Sequence, residues 1–226
     1  NIKKLKEYLI SYNIEKNSRF DRGIFSMYVD RIFSSKGFGQ VVTGTIASGK
    51  INVGDSLKLL PLNKEVKVRG LQTHNESVSN LSIGNRAAIN IQSNDKFLIK
   101  RGFHLSSIDY INIYLYAIVK VSLLEKHKKG LKNNERIRIY IGTQEVMARI
   151  LFPKIKILSG GQQSGALLKF EKPLVASIFD YFIIRTYSPL KTIGGGNILD
   201  LGEMKKWKVA FNYINKLIMT TNKYEL

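Results

Sequence analysis

Cysteine is absent from the chain, which excludes a disulfide framework and any thiolate metal site. No apolar run reaches membrane-spanning length and no charged-then-apolar leader opens the sequence, so the expectation is a cytoplasmic protein with no membrane partner. Catalytic constellations are missing as well. The three histidines, His74, His104 and His127, are scattered, and no serine sits in a nucleophile elbow, which argues against an enzyme. His127 is flanked by lysines and has no second ligand at metal spacing, the pattern of a solvated loop histidine. Acidic residues are scarce: 17 Asp and Glu face 36 Lys and Arg, for a formal charge of +19 and a pI near 10.0. That balance is the electrostatic footprint of a nucleic-acid binder. A composition rich in Lys, Asn and Ile spreads lysine over any surface, however, so position must decide between the two.

What the chain does have is a glycine-punctuated stretch from Asp30 to Leu60, with glycines at 37, 39, 44, 49 and 54 between runs of β-branched residues. Val41, Val42, Thr43, Thr45 and Ile46 favour extended backbone, and the glycines supply tight turns or close strand crossings. From Phe20 to about Ser107 the pattern predicts strands in FSMYVDRIF, KEVKVRGLQ and RAAINI. Two turns share a plan, Asn52-Val53-Gly54-Asp55 before SLKLL and Ser82-Ile83-Gly84-Asn85 before RAAINI, each of hairpin type. Short strands at this spacing predict a small closed barrel, since closure removes exposed edges.

A second all-β unit is predicted from about Tyr110 to Leu201, with strands at YLYAIVKVSLL, ERIRIYIG, EVMARILF, ALLKFE and YFIIRT. EKHKKGLKNNER reads as a basic loop, and KILSGGQQSG as a loop with a sharp turn at Gly160-Gly161. Helical spacing appears only at the flanks: Ile2, Leu5, Leu9 and Tyr12 within residues 1–12, then Met204, Trp207, Phe211, Ile214 and Ile218. Asn13 to Arg19 reads as a linker. The expected organisation is therefore a terminal helix and linker at 1–18, barrels at 19–108 and 109–201, and a helix over 202–226.

Two glycine motifs do not support a nucleotide site. Gly44–Lys50, GTIASGK, has GxxxxGK spacing, but Ile51 stands where a phosphate loop needs Ser or Thr, and a strand rather than a helix follows. Gly194–Gly196 precedes a strand-like NILDL and reads as a turn or strand crossing. The unusual polar residues lie inside strands. Asp30 and Arg31 interrupt FSMYV-DR-IF, and Arg86 opens RAAINI. Period-two alternation puts Arg31 on the side of Met27, Val29 and Phe33. A cation there needs a rim position, a carboxylate such as Asp30, or a ligand.

With these residues in view, the chain resembles the selenocysteine-specific elongation factors of the elongation factor Tu superfamily. The pattern D-R-x-F-x-x-K-G-x-G-x-V-V-T-G-T is matched by Asp30 through Thr45, followed by VRGLQTHNESV and IGNRAAINI. ALLKFEKPLVA and FIIRTYSPLKTIGGGNILD resemble the third domain of those factors, with Tyr-Ser-Pro and Ile-Gly-Gly-Gly separating it from elongation factor Tu itself. The resemblance spans roughly residues 20 to 201. One departure is Ile178-Phe179-Asp180, where the family usually has a Pro-Gly-Asp turn.

The resemblance implies an all-β fold of two consecutive β-barrels. Joined to a GTPase domain that carries GTP and Mg²⁺ and is absent here, they would hold selenocysteyl-tRNA for delivery to the ribosome at recoded UGA codons. The first barrel would take the aminoacylated 3′ end, and the second would lie against the acceptor and T stems. Asp30, Arg31 and Arg86 fall on the residues proposed to form the selenocysteyl pocket. The helix over 1–12 would close the GTPase domain, and the helix after 202 would lead to winged-helix domains that read an mRNA hairpin. The chain is then a non-catalytic piece of a GTP-hydrolysing factor. The alternative is a two-barrel interaction module of another translational GTPase.

Overall fold

Barrel one closes around the glycine-punctuated stretch. The computed structural model describes residues 2–11, 21–35, 39–92, 98–107, 111–202, 212–214 and 216. In chain order the first barrel uses β1 (Ser26–Tyr28), β2 (Arg31–Ser35), β3 (Gly39–Ser48), β4 (Lys50–Asn52), β5 (Ser56–Leu60), β6 (Lys64–Thr73), β7 (Glu76–Val78), β8 (Asn80–Ser82), β9 (Arg86–Gln92) and β10 (His104–Ser107). The ring runs β1-β10-β5-β6-β9-β3 and is closed by pairing of β1 with β3, with β2 alongside β3. Alternation explains the core: Val42 and Ile46 of β3 point inward, with Met27, Leu57, Leu59, Val68, Ile89 and Leu105, while Thr43, Thr45 and Ala47 do not share that burial. Gly44 lets β1 cross closely, because a Cβ there would lie 2.3 Å from Tyr28 O.

One irregularity overturns a reading of the sequence. Met27 pairs with Ile46, but Arg31 pairs with Thr43, so four residues on one strand oppose three on the other. This is the bulge signature, and it reverses which face each following side chain takes. Met27 and Val29 are buried, whereas Arg31 and Phe33 are exposed. Arg31 is thus on the outer surface and not on the apolar face that uninterrupted alternation assigns.

The two turns with a shared plan also differ from expectation. Gly54 and Gly84 take φ values of 95° and 88°, as the turn chemistry requires. Yet β4 pairs with β8, and neither pairs with the barrel strand that follows it. Both turns are corners that lead out of a small side sheet into β5 and β9.

Barrel two uses β11 (Ile113–Leu123), β12 (Leu131–Lys132), β13 (Arg136–Ile141), β14 (Gln144–Leu151), β15 (Ile157–Leu158), β16 (Gln163–Val175), β17 (Tyr181–Thr186) and β18 (Thr192–Leu201). It closes in the order β11-β16-β14-β13-β17-β18 around Val119, Val121, Ile137, Ile139, Ala148, Leu168 and Ile184. The basic loop is more ordered than a sequence reading implies, because β12 within it pairs with β15. Gly194–Gly196 lie inside β18 rather than at a turn. Added Cβ atoms would meet Ser122 O at 2.4 Å, Phe182 O at 2.6 Å and Lys120 O at 1.9 Å, so the run lets β18 press between β11 and β17.

Asp180 ties the barrels together. Arg22 donates to its Oδ1 at 2.9 Å, Tyr28 Oη donates to Oδ2 at 3.1 Å, and the Ser177 amide donates to Oδ2 at 2.8 Å. Thr143 Oγ1 adds a bond to Val29 O at 2.6 Å, and Leu60, Ile111 and Val175 form a small apolar cluster. The turn that presents Asp180 survives the loss of the family glycine with Phe179 at φ 69°.

The first helix, α1, spans Ile2–Ser11 with no buried residue. The linker at 13–19 and Tyr12 lie outside the described residues. Of the second expected helix, residues 212–214 and 216 are described and helical; the remainder lies outside them. Ile214 is buried against Ile118, Leu167 and Leu199 of barrel two.

Candidate nucleic-acid interface

Three adjacent strands build the outer face that carries the sequence-predicted residues. Arg31 on β2 stands opposite Thr43 of β3, and Arg86 on β9 stands opposite Thr45, one step along the same face. Asp30 lies just before β2, fixed by its amide donating to Thr43 O at 2.7 Å. Arg86 reaches across and donates from Nη2 to Asp30 Oδ2 at 2.7 Å. Asp30 therefore orients Arg86 rather than its own neighbour Arg31, which has no ion-pair partner among the described residues. A fourth group joins them that the sequence did not single out: Arg101 Nη2 lies 4.0 Å from Asp30 Oδ1.

The electrostatics favour an anion. The Arg86 hydrogen bond holds the Asp30 carboxyl below its usual range, partial desolvation opposes that shift, and the charges of Arg86, Arg101 and Arg31 reinforce it. One carboxylate among three guanidiniums leaves an excess of positive charge on a surface where Asp30 is only 22% exposed. Beside this cluster lies a cleft of about 820 Å³, lined by Val41, Gly70, Gln72, Ala88 and Asn90. Thr43 Oγ1 and Asn90 Oδ1 are buried without a hydrogen-bond partner on the same strands. Unpaired buried oxygens are costly, and here they sit beside a site able to receive donors.

Barrel two presents a different surface. On β13, β14 and β16, Arg136 faces Arg149, and Arg149 faces Lys169; one row away Arg138 faces Arg185 of β17. Like charges directly opposite destabilise a sheet, so five cations in register need compensation. Part of it is local. Arg136 makes a bidentate pair with Glu171 at 2.6 and 2.7 Å, and Arg138 pairs with Glu145. Tyr187 lies 4.7 Å from the Arg136 guanidinium and 5.6 Å from that of Arg138, and Tyr140 lies 5.6 Å from that of Arg185. The Glu171 bond moves the Arg136 pKa up and that of Glu171 down. Arg149, Lys169 and Arg185 form no ion pair among the described residues, although the charge of Arg149 is felt by Glu171. Interleaved arginine and tyrosine on a broad face suits stacked or phosphate-bearing ligands.

The GxxxxGK spacing does not form a phosphate cradle. Gly44 lies within β3, Lys50 opens β4, and Gly49 is a corner packed on Ile24 and Phe25 with a Cβ position 2.5 Å from backbone. These residues do not fit a nucleotide.

Comparison with known proteins agrees with this architecture. Residues 39–106 match elongation factor Tu domain 2, and residues 117–205 match the β-barrel domain of the selenocysteine-specific elongation factor. The selenocysteine-specific elongation factor of Desulfomicrobium baculatum is 31% identical over 198 residues, covering 86% of this chain and 31% of that protein. Its counterpart in Methanocaldococcus jannaschii is 31% identical over 225 residues, covering 92% and 47%. The apo crystal structure of translation elongation factor SelB from Methanococcus maripaludis superposes with a TM-score of 0.77 at 29% identity, covering 90% of this chain and 49% of that one. The chain spans 31% to 49% of the length of these relatives. Two successive domain matches in the right order, on the two barrels just described, place the chain in the selenocysteine-specific elongation factor family.

Proposed function

We propose that the two barrels form the tRNA-holding part of a selenocysteine-specific elongation factor. Barrel one receives the aminoacylated 3′ end, and the arginine face of barrel two grips the helical stem. The observation that carries this reading is the Asp30–Arg86 ion pair with Arg31 on the same outer face. A selenol is far more acidic than a thiol, so a selenocysteyl group is an anion at neutral pH while a seryl group is not. Arg86, held in one orientation by Asp30, presents a fixed pair of donors, and Arg31 supplies a second cation that forms no ion pair among the described residues. Arg is suited to this task because its charge is planar and weakly hydrated. A charge-assisted contact contributes roughly 1.5 to 3 kcal/mol, which favours the selenolate by at least about tenfold.

Barrel two contributes affinity without reading sequence. A-form stems are recognised through shape, 2′-hydroxyls and phosphates, and Arg149, Lys169 and Arg185, outside any ion pair among the described residues, suit a line of phosphates. GTP with Mg²⁺, ribosome delivery and reading of an mRNA hairpin belong, in this reading, to the rest of a longer factor.

The deciding experiment joins the chain to the nucleotide-binding region of a relative and competes selenocysteyl-tRNA against seryl-tRNA. The reading expects a clear preference for the former that Arg86→Ala removes while seryl-tRNA affinity holds. A preference unchanged in Arg86→Ala and Arg31→Ala would sink it.

A further inference from the structure

The pole of barrel two away from barrel one carries a second basic surface. β13 begins at Arg136 and ends beside barrel one, where Gly142 packs on Tyr28 with a Cβ position 2.4 Å from its ring. The opposite end lies about 20 Å away, the rise of a six-residue strand. Two segments meet there: the loop after β11 with Lys126, Lys128, Lys129 and Lys132, and the approach to β15 with Lys154 and Lys156. Pairing of Leu131 with Leu158 and of Lys132 with Ile157 holds them side by side, and the Asn133 amide donates to Lys156 O at 2.8 Å. All six lysines are exposed, and among the described residues none has an ion-pair partner. Only Glu125 and Glu135 lie on the same loop.

This loop has a set shape. The His127 amide donates to Leu124 O at 2.9 Å, His127 Nε2 donates to Gly130 O at 3.1 Å, and the Gly130 amide donates to His127 O at 3.1 Å. Gly130, at φ 67°, has no room for a side chain: its Cβ position is 2.6 Å from Ile157 Cγ2. Gly160 likewise would strike Glu125 O at 2.7 Å. The lysines thus rise from a backbone packed on two glycines.

We propose that this lysine pole is a second phosphate-binding surface, taking the backbone of duplex RNA beyond the stretch gripped by the arginine face. It rests on the RNA reading of barrel two and adds to it a separate contact. Lysine-rich surfaces are poor protein interfaces, whose centres are depleted of lysine and enriched in aromatics. Exposed large apolar groups among the described residues at this end are few: Leu124 and Ile157, 39% and 48% exposed, which lysine stems can cover, and Tyr187 and Leu190 on the neighbouring β17–β18 loop, 52% and 47% exposed. Flexible point charges on a defined loop suit phosphates, which need no directional pairing.

The test measures binding of an uncharged-tRNA-sized RNA hairpin across a potassium chloride series. Replacing Lys126, Lys128, Lys129 and Lys132 with Gln should weaken binding about tenfold or more at low salt and reduce the slope of log K against log salt by about 2 to 3. The double variant Arg149→Ala with Arg185→Ala should reduce the slope independently. A normal slope in the lysine variant beside a reduced one in the arginine variant overturns the inference and leaves the arginine face standing. A loss confined to the lysine variant keeps the pole and removes the arginine face. No binding by the unaltered chain overturns both. Unchanged thermal unfolding of each variant shows that the fold is intact.

Discussion

Barrel one buries Ser26, Ser48, Ser106 and His104 and holds the close Asp30–Arg86 ion pair on its outer face. The buried side chains of barrel two are apolar, and its outer face sets five cations opposite one another. In the proposed reading the same closed six-stranded ring serves two kinds of recognition. Telling one charged atom from a neutral one takes a few groups held in fixed orientation, as Asp30 holds Arg86. Gripping a polymer takes many charges at spacings a line of phosphates can meet, and there stacking on Tyr140 and Tyr187 can replace full carboxylate pairing.

The difference in the interiors predicts the largest effect. Burial pushes His104 down to about 3 from an ordinary value of 6.5, with the charge of Arg22 adding to it. Its Nε2 bonds Ser26 Oγ at 2.9 Å, and its ring meets Tyr28 edge-on at 4.6 Å. Between these pH values the unfolded chain binds a proton that the folded chain refuses. Stability is therefore full above about pH 6.5 and falls by about 1.4 kcal/mol per unit as pH drops toward 3. Hydrogen exchange on acidification should strip protection from barrel one before barrel two, and His104→Gln should flatten the dependence. Simultaneous loss in both barrels would break the comparison.

The outer faces give the next effect. Arg149→Ala with Arg185→Ala should weaken RNA stem binding by about tenfold or more and lower the salt slope by about 2, whereas Arg86→Ala should change that slope by at most about 1. Equal slopes would mean that the two faces are not divided as described. Asp30→Asn comes third. It should reduce selenocysteyl selectivity severalfold by releasing Arg86, and lower the unfolding free energy by less than about 1 kcal/mol, since the pair is partly exposed. A large stability loss with selectivity intact would make the pair structural.

The junction offers the smallest change. Phe179 holds a left-handed conformation with a half-exposed side chain, so Phe179→Gly should raise stability by about 0.5 to 1 kcal/mol. Denaturant titration measures it, and a loss would show that the ring contributes packing at the Asp180 clamp.

Much of the fold was legible. Arg136 and Arg138 alternate with Ile137 and Ile139 in ERIRIYI, so their outward position could be read directly. That they face Arg149 and Arg185 could not, because register is set by pairing between distant strands. The site was legible only in part. Arg31 was assigned to the wrong face because one extra residue between Met27 and Arg31 inverts the alternation, and nothing in its spelling announces a bulge. Arg101 was missed altogether: it lies in a turn between buried Ile99 and half-buried Phe103, and its spacing from Asp30 carries no period.

The sequence alone determined the alternation and the glycines that close two barrels, the excess of positive charge, and the motif blocks that carry the family resemblance. Those are local properties, set by side-chain shape and backbone sterics. Tertiary structure decided that Asp30 grips Arg86 and not Arg31, that Arg101 joins them, and that Asp180 locks one barrel to the other. Each of these joins residues far apart in the chain, where a shift of one residue in register exchanges inside for outside.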